Sequence, residues 1–200
     1  ILLLGALLFC SQGIQPSISH YYYTGMGDIF VAILCMIGIF LFAYKGYEKK
    51  DDVAGDLACL FALGVALFPT DPDPLTVLGY KLGCLHGNLF SCVINSAATI
   101  GTIHFIFAAL FLLTLAYFSI CLFTKSDSNT PVTPQKKLRN LVYKICGYII
   151  LASIVLIAAV FLLGLSRNGW NLVFWLESLA VMSFGFSWLV KGEAILQDET

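Results

Sequence analysis

Five stretches of this chain run for about twenty residues with almost no charge, and clusters of charged, hydroxyl, Pro or Gly residues separate them. They cover about 27–44, 53–69, 98–123, 141–165 and 170–190. Spanning a bilayer core of roughly 30 Å takes about 17 residues or more in one helix, and each run reaches that length. A shorter apolar run from Ile1 to Phe9 is read, with its flank to about residue 14, as the end of a further span that begins upstream. The competing reading is the core of a signal segment, whose cleavage site takes small residues and fits Phe9 poorly. The predicted fold is an all-α, polytopic transmembrane bundle of six spans, one domain over residues 1–200.

Loop charges predict its orientation. Lys45, Lys49, Lys50, Lys125, Lys136, Lys137, Arg139, Lys144 and Lys191 fall at one set of helix ends, and only Lys81 and Arg167 at the other. Positively charged loops stay in the cytoplasm, so both termini are expected inside. Aromatic belts at the two interfaces agree, with Tyr21, Tyr22, Tyr23, Tyr80 and Trp170 outside and Tyr44, Tyr47, Tyr143 and Trp188 inside.

Composition sharpens this picture. Hydrophobic residues make up 59% and charged residues 12%, against about 45–50% and 25% in soluble domains, which excludes a water-soluble globule. A net charge of −1 offers no basic face for nucleic acid. The glycine-rich, zinc-binding and nucleophile-elbow motifs that mark common cofactor and hydrolase sites are absent. No cofactor is indicated.

The connections differ in character. The cytoplasmic loop, about 124–140, is rich in Ser, Asp, Asn, Thr and Pro and reads as an exposed linker. The outer loop, about 70–97, opens with Asp71-Pro72-Asp73-Pro74 and is long enough to cover the bundle mouth. Cys84 and Cys92 lie in it, on the oxidising side, and are expected to pair as a disulfide. Cys10, Cys35, Cys59, Cys121 and Cys146 fall one per span and read as small apolar fillers. Ala54, Ala58, Ala62 and Ala66 recur every four residues, a stripe against which another helix packs closely.

Ionisable groups inside spans are costly and mark interior or functional positions. Glu177 lies seven residues past Trp170 with no Lys or Arg within a turn, and His104 enters its span from the same outer side. Asn95, Thr99 and Thr102 extend a polar stripe near it, and His20, Tyr22 and Asp28 add to the outer set. A carboxylate and an imidazole held together there suit a polar headgroup, a metal or a proton. Blander roles stand beside these. Asp28, Asp52 and Asp56 open helices as caps, His20 and His86 sit in solvated loops, His104 bonds a neighbouring helix, and Glu177 fastens two helices.

Ser19-His20-Tyr21-Tyr22-Tyr23-Thr24, Asp28-Ile29-Phe30-Val31, the run Phe61 to Thr70, and Phe174-Trp175-Leu176-Glu177 resemble a group of bacterial polytopic membrane proteins, similar in size and span count to the Frag1/DRAM-like families. The resemblance implies architecture and a multi-pass location in a bacterial inner membrane, and brings no activity. Ser17 or Ser19, His20 and Asp28 also resemble part of the alkaline ceramidase and adiponectin-receptor type membrane hydrolases. The paired histidines that hold zinc in those proteins are missing from the last span, where Glu177 stands. The leading expectation is a membrane protein whose outer pocket of Glu177, His104, Asp28, His20 and Tyr22 binds a lipid or small amphiphile, alone, as a homo-oligomer or within a larger assembly. Alternatives are a zinc hydrolase with His20, His104 and Asp28 as ligands, and a proton-coupled carrier using Glu177.

Overall fold

The computed structural model describes residues 14–46, 48–70, 97–126, 133–165 and 170–196, and every regular element among them is helical. A 3-10 turn, Ser19–Tyr23, precedes α1 (Gly27–Phe42), α2 (Lys49–Leu67), α3 (Ala97–Tyr117), α4 (Pro134–Leu162) and α5 (Leu172–Lys191). Helix α3 runs on through one π-helical turn, Phe118–Leu122. Three helical segments are long and apolar enough to cross a membrane: Ile100–Leu122, Pro134–Leu162 and Leu172–Lys191. Helix α1 is a shorter apolar one. Large apolar side chains such as Met36, Leu162 and Met182 stand exposed on the outside, as expected where lipid rather than water surrounds the bundle.

Two helix starts correct the sequence reading. Glu48 and Asp51 form a reciprocal capping box that begins α2 at Lys49, so Asp52 and Asp56 are not its caps. Asp52 accepts from the Gly46 N–H at 3.4 Å, and Asp56 lies two turns inside. Helix α4 begins at Pro134, within the stretch expected to be linker, because the Thr133 hydroxyl accepts the Lys136 N–H at 3.1 Å and Pro suits the first helical position. The expectations for residues 1–13, the Cys84–Cys92 disulfide and most of the 70–97 loop lie outside the described residues. Cys35, Cys59, Cys121 and Cys146 are free thiols.

Consecutive helices pack side by side, α1 on α2, α2 on α3, α3 on α4 and α4 on α5. The alanine stripe is the seam within the chain: Ala54, Ala58, Ala62 and Ala66 are all buried. Facing it on α1, Gly38 leaves room against Ala62 and Cys59. Gly55 meets the α1 backbone so closely that a Cβ there would lie 2.7 Å from the Leu41 carbonyl oxygen. Such contacts between small residues supply the dispersion energy that drives helix association in lipid.

At the end where α1 leaves and α2 begins, aromatic rings fill the centre. Phe123 packs against Tyr44, Phe118, Tyr143, Phe184 and Trp188. Phe40 and Tyr44 of the α1 end touch Trp188 of α5. Tyr143 is thus a core residue, as are Tyr21 and Tyr22 at the opposite end. Ser119 in the π-turn bonds Ser187 of α5 at 3.0 Å, both fully buried. Charges line the rim. Lys125 Nζ reaches buried Asp51 at 2.6 Å, which holds the lysine above its ordinary pKa. Lys136 donates to the Phe123 and Lys125 carbonyls that end α3, and buried Arg139 holds Glu193 at 3.3 Å and the Leu196 carbonyl at 3.1 Å.

Candidate functional site

The opposite end holds the polar groups singled out in the sequence. On α5, helical spacing puts Glu177 on the same face as Val173, Phe174, Ala180 and Phe184, all buried. Glu177 is partly buried, and its Oε2 accepts the Ile18 N–H at 2.6 Å. That donor belongs to a segment, residues 14–26, which crosses this end of the bundle. Its Pro16 carbonyl accepts the Phe174 N–H at 3.1 Å, satisfying a first-turn donor of α5 that Asn171 does not cap. The Asn171 amide donates to the Ile14 carbonyl at 3.1 Å, and the Tyr21 ring packs 6.1 Å from Phe174. Burial pushes the Tyr21 phenol above its ordinary pKa, with the Gln15 backbone opposing.

The segment holds its shape by local bonds. Ser17 Oγ accepts the His20 N–H at 3.3 Å and lies 2.7 Å from His20 Nδ1. Thr24 donates its hydroxyl to the Tyr21 carbonyl at 2.8 Å and accepts the Met26 N–H at 3.1 Å, which ends the 3-10 turn and leads into α1.

His104, buried to 2% exposure, is the second anchor. A carbonyl only accepts, so its Nδ1 donates to Phe68 O, 2.6 Å away at the end of α2. Gly64 explains how Phe68 comes there. The Phe107 ring lies over Gly64, where no Cβ would fit, and stacks on the Phe68 ring at 5.6 Å. Phe107 and His104 are three residues apart on α3 and meet the α2 terminus together. The Tyr23 hydroxyl donates to the Thr70 carbonyl, tying segment 14–26 to the same corner.

Four candidates, His20, Tyr22, His104 and Glu177, thus share one end of the bundle, but their resolved hydrogen bonds run mainly to backbone groups. The Tyr22 hydroxyl is buried and has no hydrogen-bond partner among the described residues. Asp28 does not join them as a buried ligand. It stands exposed in the first turn of α1, where a carboxylate complements the positive helix end. Among the described residues no three His, Cys, Asp or Glu side chains are grouped to hold a metal, so His20, His104 and Asp28 do not make the alternative zinc set. Thr102 faces outward rather than into a polar stripe. Sequence reasoning missed the backbone partners at Pro16, Ile18 and Phe68. For the first two, the signal in the chain is Pro16-Ser17-Ile18-Ser19 standing before three consecutive tyrosines; for Phe68 there is none. The chain matches no protein-family model, no curated protein and no solved structure.

Proposed function

We propose that this chain is a multi-pass membrane protein of six spans, both termini cytoplasmic, whose non-cytosolic mouth binds the polar head of a lipid or small amphiphile. The supporting observation is the gathering of Ser17, His20, Tyr22, His104 and Glu177 from three separate stretches of chain at the end poorest in Lys and Arg. Intramembrane ionisable groups are retained where they face a protein interior or a ligand, and the Tyr22 hydroxyl there is buried and without a partner among the described residues. Segment 14–26 forms one wall, and the apolar outer face of α5 offers a surface for an acyl chain. Mass spectrometry of the detergent-purified protein tests this. The wild type retains phospholipid, and Glu177→Gln, which keeps an oxygen acceptor for Ile18, loses most of it. Equal lipid retention with equal thermal stability overturns the proposal.

A further inference from the structure

Glu177 is a carboxyl with half of its bonding used. Its Oε2 takes the Ile18 N–H at 2.6 Å, and its Oε1 has no hydrogen bond or ion pair among the described residues. It stands in the second turn of α5, a helix long and apolar enough to cross a membrane. The described Lys and Arg side chains all belong to the other half of the bundle, where α2 starts, so none of them neutralises it. A second polar group beside it is also unsatisfied. Tyr21 is fully buried against Phe174, one turn before Glu177, and against Ile18, the donor to Glu177. Its hydroxyl proton has no acceptor among the described residues. The corner thus offers an acidic acceptor with a spare oxygen, a neutral donor next to it, and no cation.

A carboxylate in apolar surroundings is best matched by a cation that also donates hydrogen bonds. A purely anionic head would instead bring a second negative charge into a low dielectric, with no ammonium or guanidinium there to receive it. Building on the reading that this mouth holds the head of an amphiphile, we propose that the head carries an ammonium group that donates to Glu177. Tyr21 donates to an oxygen of the same head. A phospholipid amine and a free alkylamine share the ammonium, and charge selects both over a phosphate or glycerol head.

Native mass spectrometry of the full chain in detergent, with phosphatidylethanolamine and phosphatidylglycerol of the same acyl chains, tests the proposal. Wild type should retain phosphatidylethanolamine about tenfold better, the scale of one hydrogen bond to a charged group. Glu177→Gln should bring the two lipids level, with the melting temperature confirming an intact fold. Tyr21→Phe, which keeps the ring on Phe174, should weaken both lipids alike, since both carry phosphate oxygens. Dodecylamine and dodecyl phosphate separate the sources: Glu177-dependent retention of dodecylamine with equal retention of the two phospholipids assigns the ammonium to a free amine. The proposal is overturned if the preference survives Glu177→Gln, if Tyr21→Phe abolishes it, or if dodecyl phosphate is held better than dodecylamine. Equal retention of the two phospholipids without Glu177-dependent binding of dodecylamine overturns it while leaving the lipid-binding mouth in place. Retention of none of these amphiphiles overturns both readings.

Discussion

The two ends of the bundle keep polar groups beside hydrocarbon in opposite ways. At the α2 start, charges of both signs neutralise each other: Lys125 with Asp51 and Glu48, Arg139 with Glu193. At the α5 start, Glu177 and His104 are bonded to an Ile18 N–H and a Phe68 carbonyl, and no Lys or Arg stands among the described residues there. An ion pair between helix ends fixes the bundle and asks for no further partner. A carboxyl held by one peptide N–H on a non-helical segment keeps hydrogen-bonding capacity in reserve. The first end is thus built for stability, and the reserve capacity of the second is what the proposed ligand binding rests on.

The largest effect should come from Asp51→Ala, which removes the α2 capping box and leaves Lys125 without its buried partner. A loss of about 3 kcal/mol is expected, part cap and part ion pair, discounted because the lysine is partly solvated. Chemical unfolding in detergent measures it, and a loss no larger than that of an exposed control would undo the assignment. At the other end Glu177→Ala strands the Ile18 N–H and should cost about 2 kcal/mol, whereas Glu177→Gln should cost under about 0.5 kcal/mol. If Gln destabilises as much as Ala, charge rather than hydrogen bonding holds segment 14–26.

A pH titration sharpens the contrast. Lys125 titrates above its ordinary value because it donates to Asp51. Its contribution is therefore complete below the unfolded lysine pKa of about 10.4 and is lost as pH rises through the higher folded value. The melting-temperature gap between wild type and Lys125→Met should be constant from neutral pH to about 9 and close at strongly alkaline pH. The smallest effect is expected from Ser119→Ala. Ser187 retains its bond to the Phe184 carbonyl at 2.8 Å, so the cost should be about 0.5 kcal/mol, typical of hydrogen bonds between membrane helices.

Much of the architecture is legible in the chain because the apolar runs and the helices obey one constraint, the internal pairing of backbone groups in an apolar setting. The run at 27–44 became Gly27–Phe42, and that at 170–190 became Leu172–Lys191. Boundaries failed where capping outweighs hydropathy: Glu48 with Asp51 and Thr133 with Pro134 start helices among charged residues. The partners of Glu177 and His104 were hidden for another reason. They are backbone groups, which every residue carries, so no side-chain pattern announces Ile18 or Phe68. The Lys125–Asp51 pair spans 74 positions and joins two residues that charge counting treats as ordinary interfacial charges. The burial of Tyr21, Tyr22 and Tyr143 was not legible because ring size and amphipathicity fit a packed aromatic core as well as an interface.

Hydrogen–deuterium exchange on the protein in phospholipid nanodiscs and after delipidation in detergent compares the two ends directly. If a lipid or amphiphile seats against segment 14–26, its amides should exchange faster once lipid is removed, while those of residues 48–52 and 133–139 should keep their rates. Unchanged exchange across 14–26, or a loosening shared equally by the charged end, would contradict the account.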